Sequence, residues 1–450
     1  MLLRALILVI LIKLSILACA DGWDYNQKEF VFLENRNIPF SNISEEINSA
    51  NVYNTIIWAY EEKNKEKNLK EWKKELKDIY SLQEVEEFVY KRINLQNLKD
   101  KEILDYINFV KEQEEHVTFH YYFSDEEKTK LKDYNLLLNE ALHKIDETSS
   151  SWLKLRYFYL ALRLAHYKKH NPLKIYEKYK YLLENNTQTV VKDWILGLYA
   201  GALVKNGETV KGVYEFSRLF SEDKINSHLS YYNFFHIKTN EQWNELLNLA
   251  KSNEEKTKFY ALRALNENSN VLEELQNIYT LDKNSKWFEF VLFRELLNTQ
   301  HYFDQHSDYE RNFNFKKYIE FLNTIKKDDM YLVNLSLAYF HLYEKNFEKS
   351  LEITNELLRI YPNSHEVQTL SYILYLEQLK NIDTKTENKI YEKMTILTKN
   401  EINSTSIHDY TFVVLEKLYL NQNDKFNAFL AKNINYLDTA VFDLDFFFYF

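Results

Sequence analysis

Apolar residues recur at intervals of three and four along most of the chain, the spacing that places them on one face of an α-helix. Trp152, Leu155, Tyr159, Leu162 and His166 form one such stripe. A second stripe follows directly, at Pro172, Tyr176, Tyr179 and Leu183. Each predicted helix is about four turns long, which is too short to be stable alone. We therefore expect helices that pair and pack their stripes on neighbours.

The sequence also contains local patterns that predict where helices begin. A Ser or Thr followed three residues later by Glu or Gln predicts a capping box, in which the two side chains satisfy backbone N–H groups at the start of a helix. This pattern occurs at Ser81/Glu84, Ser124/Glu127, Thr239/Gln242, Ser252/Glu255 and Thr384/Glu387. Asn171 before Pro172 predicts a further start, with Asn as the cap and Pro at the first helical position.

One pair of predicted helices, at 331–364, matches the tetratricopeptide unit of about 34 residues. The matching positions are Leu337, Ala338, Phe347, Ser350, Leu351 and Pro362, whereas His341, Thr354 and Leu357 depart from the pattern. Four glycines lie between 197 and 212. Gly207 suits a turn between helices, and Gly197, Gly201 and Gly212 predict close approach of helix backbones. The sequence thus predicts an all-α protein, an α-solenoid of degenerate tetratricopeptide-like helix pairs.

Polar clusters and changes in pattern suggest the domain organisation. The predicted segments are a signal peptide (1–20), an irregular aromatic lead-in (21–44), an N-terminal helical region (45–148), degenerate helix-pair repeats (149–299), a polar break (300–314), a tetratricopeptide-like repeat (315–380), and C-terminal helices with an aromatic tail (381–450). The tail, VFDLDFFFYF at 441–450, is expected to dock on the last helix.

Composition narrows the fold class further. The chain of 450 residues contains 5 Gly and 3 Pro, far below the average usage of about 7% and about 5%. Tight hairpins and nucleotide-binding loops rely on these two residues, so large β and doubly wound α/β domains are excluded. The formal net charge of −10 makes nucleic acid an improbable partner, because phosphate contacts need a basic face.

The first 20 residues resemble a secretory signal, with Arg4 followed by an apolar run and then small residues. Cys19 has two interpretations. Ala18-Cys19-Ala20 fits cleavage before Asp21, whereas Ile16-Leu17-Ala18-Cys19 resembles a bacterial lipobox in which Cys19 is lipidated. A third interpretation is that Cys19 has no special role and is one of the apolar residues of the signal. Because it is the only cysteine, no internal disulfide can form, and packing alone must stabilise the fold. The expected location is the periplasm or outer membrane.

Candidate chemistry is sparse. The pairs His116/His120 and His166/His170 have the helical i, i+4 spacing of some metal sites, but neither has the Glu that follows the first His in metalloproteases. Packing and turn roles are favoured for both, and no metal or cofactor is expected. No Gly-x-Ser-x-Gly elbow occurs. Pairs of acids are too common in a helical chain with 67 acidic residues to indicate a glycosidase. We expect no enzymatic activity.

Several stretches together resemble a group of uncharacterised exported or lipid-anchored helical-repeat proteins of Bacteroidota-like bacteria. The stretches are ACADGWDY at 18–25, LRYFYLALRLAHY at 155–167, LYAGALVKNG at 198–207 and the helical segments between 259 and 297. The resemblance implies an exported solenoid and supplies no catalytic residue. The function expected is a non-catalytic envelope scaffold that binds a protein or peptide. The alternatives are a SusD-like glycan-binding lipoprotein and a helical-toroid hydrolase.

Overall fold

The structure is a computed structural model that describes residues 53–117, 133–168, 171–184, 189–221, 227–266, 269–302, 314–327, 330–399 and 404–437. These residues form twenty α-helices and no β-strand, so the protein is all-α over this part of the chain. They divide into two compact units, an N-terminal unit that ends at Val291 and a C-terminal unit that begins at Leu292. The signal region, Cys19 and the aromatic tail lie outside the described residues.

In the described residues, the N-terminal unit contains twelve complete helices and the first part of a thirteenth. They are α1 (Tyr53–Glu75), α2 (Leu82–Glu86), α3 (Lys101–Val117), α4 (Tyr134–Glu147), α5 (Ser151–Lys168), α6 (Pro172–Tyr179), α7 (Val190–Lys205), α8 (Thr209–Ser217), α9 (Ser227–Phe234), α10 (Asn240–Leu249), α11 (Asn253–Ala264), α12 (Val271–Leu281) and the first part of α13 (Lys286–Tyr302). A π-helical turn (Glu87–Lys91) continues α2, and 3₁₀ turns occupy Leu95–Asn97 and Lys180–Leu183.

The C-terminal unit contains the rest of α13, α14 (Phe315–Ile325), α15 (Tyr331–Tyr343), α16 (Phe347–Ile360), α17 (His365–Glu377), α18 (Thr384–Thr398), α19 (Ser404–Asn421) and α20 (Lys425–Leu437). Its main packing pairs are α15 with α16 and α19 with α20, and α17 packs on α15, α16 and α19. In the N-terminal unit the corresponding pairs are α4 with α5, α7 with α8 and α11 with α12. Helices thus pack mostly on those one or two places away in the chain.

Helix α1 is the exception to this local packing, because it contacts α7 across more than a hundred residues of sequence. Helix α5 lies among several neighbours, since it packs on α3, α4, α6 and α7. Ten of its side chains are buried, which explains why its apolar residues extend round most of the helix. None of the described helices combines the length and the apolar character needed to cross a membrane.

The predicted helix starts can be compared with the caps that form. The boxes at Ser81/Glu84 and Thr239/Gln242 are confirmed, with both reciprocal hydrogen bonds present. Asn171 is confirmed as the cap of α6, since its side chain accepts from the Lys174 N–H. Ser252 caps α11, but Glu255 accepts from the N–H of Lys251 instead of from the cap residue. The Ser124/Glu127 pair lies outside the described residues.

The capping box predicted at Thr384/Glu387 is wrong. Helix α18 begins at Thr384, and its cap is Asp383, whose side chain accepts a hydrogen bond from the Thr386 N–H. Asp is a better cap than Thr and stands one position earlier. Its carboxylate also interacts favourably with the positive end of the helix dipole. The helix therefore starts one residue before the position that the Thr-x-x-Glu pattern indicates.

The helix pair at 331–364 forms as the pattern predicts, with α15 and α16 as its two helices. Ser350 is fully buried, and its hydroxyl donates to the Ala338 carbonyl at 2.6 Å, so two small residues meet where the helices cross. Thr354 replaces the aromatic residue of the repeat pattern. It too is buried, and its hydroxyl donates to the Ser350 carbonyl at 2.7 Å.

Two glycines act as the sequence predicts. Gly207 has a φ of +90° in the turn between α7 and α8, where a side chain would be strained. A Cβ on Gly212 of α8 would lie 2.6 Å from Val204 Cγ2 and 2.8 Å from the Ala200 carbonyl oxygen on α7. This confirms close approach of the two helices at Gly212.

Candidate functional site

A charged side chain, Arg156 on the apolar helix α5, lies in the interior of the N-terminal unit. Only 2% of its surface is exposed. Its Nη2 donates to Asn68 Oδ1 at 2.8 Å and to Glu71 Oε2 at 3.2 Å. The guanidinium also lies over the rings of Trp152 and Trp72, at 3.9 and 4.7 Å from their centroids. Carboxylate, amide and ring faces thus replace the water that a buried charge would lose.

Glu71 ties this cation to a third helix. Its Oε1 accepts from the backbone N–H of Val190 at 2.7 Å, and its Oε2 accepts from the Thr189 hydroxyl at 2.7 Å. Thr189 is itself the cap of α7, accepting from the Val191 N–H. One carboxylate of α1 therefore satisfies the start of α7 and the guanidinium of α5 together, and this fixes the three helices relative to one another.

A pocket of about 540 Å³ opens beside this cluster, between α1, α3, α5, α7 and the π-helical turn. We call it the basic-aromatic pocket, since its lining includes four cations and five aromatic side chains. The cations are Lys65, Arg92, Arg156 and Arg163, and the aromatic residues are Trp72, Tyr90, Tyr106, Tyr159 and Trp194. Helix α5 contributes Arg156, Tyr159, Leu160 and Arg163, which share one face because they are three, four and seven residues apart.

Three of the four cations face a carboxylate. Lys65 pairs with Glu86 at 2.6 Å, Arg92 pairs with Glu114, and Arg156 pairs with Glu71. Arg92 stands in the left-handed region, with φ at 55°, directly after the π-helical turn. Arg163 is half-buried and differs from the others, because within the described part of the chain it has neither a hydrogen bond nor an ion pair.

The aromatic side chains of the pocket are mostly held in place by their neighbours. Asn64 Oδ1 accepts from the indole Nε1 of Trp194, at 2.8 Å, and Asn68 Nδ2 donates to the Tyr90 hydroxyl at 2.9 Å. The rings of Tyr159 and Trp194 lie 5.1 Å apart. Among the aromatic residues that line the pocket in the described part of the chain, Tyr90 is the most exposed, with 38% of its surface accessible to solvent.

Burial dominates the ionisation of the tyrosines here. It raises the pKa of Tyr106 to about 12, against the opposing charge of Arg156. It also raises the pKa of Tyr159, although Arg163 and Arg156 act in the other direction. Burial lowers the pKa of the Arg156 guanidinium, which Tyr106 and Glu71 counteract. Because burial raises their pKa, the phenols of Tyr106 and Tyr159 stay protonated at neutral pH.

A second pocket, of about 600 Å³, lies at the other end of α5 beside α6 and α7. Its lining includes His166 and Lys205, and the Lys205 ammonium donates to His166 Nε2 at 2.8 Å. Burial and then the charge of Lys205 lower the pKa of His166 to about 4. A Cβ on Gly201 of α7 would lie 3.1 Å from His166 Cε1. The imidazole is thus neutral and packed against a glycine.

The candidate residues from the sequence do not meet in one site. His166 is placed as just described, and His116 lies on α3 with its ring 6.3 Å from that of Tyr134. His120, His170 and Cys19 lie outside the described residues. Among the side chains that the structure describes, no group of three or more His, Cys, Asp or Glu is arranged to hold a metal ion.

Sequence reasoning missed the basic-aromatic pocket. The one local signal was the pair Arg156 and Arg163, two cations seven residues apart in the otherwise apolar stretch LRYFYLALRLAHY. That signal is incomplete, because Glu71 and Asn68 are 85 and 88 residues away from Arg156 in the sequence.

Comparison of the chain with known proteins found no similar protein. No protein-family model matches the chain, and neither the search of curated proteins nor that of solved structures found a similar one.

Proposed function

We propose that the protein is a non-catalytic scaffold of the cell envelope that binds a protein or peptide partner on a helical-repeat surface. The observation that carries the proposal is the basic-aromatic pocket, a recess formed by four helices that are distant in sequence. Packing between helices one or two places apart supports a solenoid of degenerate tetratricopeptide-like pairs, an architecture suited to binding extended partners. The signal-like residues 1–20 support export.

Glycan binding, the first alternative, has weaker support from the same pocket. Sugars stack on open ring faces, and the rings here are largely covered. Trp72 is 1% exposed and lies against Trp152, Tyr106 and the Arg156 guanidinium. The amides of Asn64 and Asn68 are already hydrogen-bonded to protein groups. Hydrolysis, the second alternative, requires two carboxylates free to act on substrate, whereas Glu114 and Glu71 are paired with Arg92 and Arg156.

Site-specific photo-crosslinking in the source cells tests the proposal. The photoreactive residue p-benzoylphenylalanine would replace Tyr90 at the mouth of the pocket, and Tyr391 would serve as a matched control. Tyr391 is 67% exposed and lies on α18 of the C-terminal unit. We expect ultraviolet light to give a discrete adduct at position 90, containing a second polypeptide by mass spectrometry, and none at 391. The absence of a polypeptide adduct at 90, or the same set at both positions, would contradict the proposal.

A further inference from the structure

Arg163 is a half-buried cation for which the described part of the chain supplies no partner of opposite charge. It lies two turns after Arg156 on the same face of α5, lines the basic-aromatic pocket and is half-buried. Its charge acts on the phenols of Tyr106 and Tyr159, yet it has no carboxylate or hydrogen-bond acceptor within the described part of the chain. A partly desolvated guanidinium gains most from a planar anion that accepts two parallel hydrogen bonds.

Other lining residues of the pocket also contain N–H donors without an acceptor. Three buried nitrogen atoms of lining residues have no hydrogen-bond partner, and all three are N–H donors: Trp72 Nε1, Arg92 Nε and Arg156 Nε. Unpaired donors add to the positive potential of this half-open recess, where charges interact more strongly than in bulk solvent.

The charge count indicates the kind of anion. Four cations line the pocket, and the three carboxylates of Glu71, Glu86 and Glu114 are already paired with three of them. Within the described part of the chain, Arg163 is thus the lining cation without a carboxylate, and it offers a ligand one positive charge. A carboxylate supplies one negative charge, whereas a phosphate monoester at neutral pH carries between about 1.5 and 2. Val89, Tyr90 and Val110, also in the lining, offer apolar contact beside the cations.

We propose that the basic-aromatic pocket binds a carboxylate of a peptide partner, with Arg163 as its ion-pair partner and an adjoining apolar side chain packed on Tyr90 and Val110. This inference rests on the proposed function, since it names the chemical group by which the partner is recognised.

Calorimetric titration of the full chain with a matched pair of small probes tests it. N-acetyl-phenylalanine carries the carboxylate and an apolar ring, and its amide is the same molecule without the charge. A charge-assisted hydrogen-bond pair changes affinity by about tenfold or more, so we expect the acid to bind at least about tenfold more tightly than the amide. Arg163→Gln should abolish this difference. Arg163→Lys, which keeps the charge and the fold but loses the planar fork, should retain part of it.

Arg359→Gln is the matched control, since Arg359 is an exposed arginine of α16 in the C-terminal unit and does not line the pocket. It should leave both affinities unchanged. Equal binding of acid and amide, no binding of the acid, or full binding by Arg163→Gln would overturn the inference. Tighter binding of a galacturonic acid disaccharide than of the acid probe would overturn it in favour of an acidic glycan. If the polypeptide adduct at position 90 persists while these titrations fail, the scaffold function stands and only the carboxylate is wrong.

Discussion

Arg156 shows what a single residue needs in order to stay charged inside a helical protein. Removing an ion from water costs several kcal/mol unless partners replace the solvent. Here an amide, a carboxylate and two indole faces surround the guanidinium, and Glu71 uses its remaining oxygen on the start of α7. Arg suits this position because its guanidinium is more weakly hydrated than a Lys ammonium and stacks on rings.

His166 leads to a prediction about acid stability. Its pKa is lowered from 6.5 to about 4 in the folded chain, so between those values the unfolded chain binds a proton that the folded chain does not. Stability is therefore complete above about pH 6.5 and falls as the pH drops towards 4. We expect His166→Gln to reduce the fall in the urea midpoint between pH 7 and pH 4.5.

Urea unfolding followed by circular dichroism at the two pH values measures this effect. His143→Gln is a suitable control, since the His143 side chain is 70% exposed and pairs with Glu147 one turn along the same helix. It should leave the pH dependence nearly as it is in the wild type. An identical loss of stability in wild type and His166→Gln would show that the neutral, half-buried imidazole does not contribute.

At the scale of helices, the first residue of a helix can often be predicted from the sequence, because the capping hydrogen bonds are local. Ser81, Asn171 and Thr239 make hydrogen bonds within three residues of themselves, so the sequence window that encodes each cap contains all its atoms. The pattern fails at Thr384 because two good caps stand side by side, and Asp383 takes the role. Short patterns predict that a helix starts but can miss its first residue.

Matched Thr→Ala variants test this distinction. Thr239 accepts a hydrogen bond from the Gln242 N–H at the start of α10, so Thr239→Ala should lower the free energy of unfolding by about 1 kcal/mol. Thr384 is already inside α18 and caps nothing. Thr384→Ala should therefore stay within about 0.5 kcal/mol of the wild type. Chemical denaturation measures both, and equal losses would contradict the assignment of Asp383 as the cap.

Contacts between helices are harder to predict from the sequence than helix starts are. Gly212 could be recognised as an unfavourable helix residue, because Gly in a helix interior costs about 1 kcal/mol relative to Ala. The sequence does not state which helix approaches it, and the structure shows that Ala200 and Val204 of α7 do so. Ser350 is similar, since its partner Ala338 is twelve residues away on the previous helix.

For the whole molecule, the predicted location in the cell envelope depends on how residues 1–20 are processed. The lipobox interpretation of Cys19 predicts a thioether-linked lipid on the mature N-terminus, whereas cleavage before Asp21 predicts none. Growth of the source cells with radiolabelled palmitate distinguishes them. We expect label on the wild-type protein and none on Cys19→Ala. Label that persists in the variant would rule out Cys19 as the anchor, and an unlabelled wild type would favour cleavage.

The amino-acid sequence by itself determined the all-helical class, the helix starts at Ser81, Asn171, Thr239 and Ser252, and the turn at Gly207, because these depend on periodicity, capping and backbone freedom within a few residues. Only the tertiary structure decided the basic-aromatic pocket. Beside it, Asn68 and Glu71 of α1 bind Arg156 of α5 and the Val190 N–H of α7. Among the lining cations in the described part of the chain, Lys65, Arg92 and Arg156 each pair with a carboxylate and Arg163 does not. Those pairings arise when distant helices pack, so no local pattern distinguishes Arg163 from the arginine two turns before it.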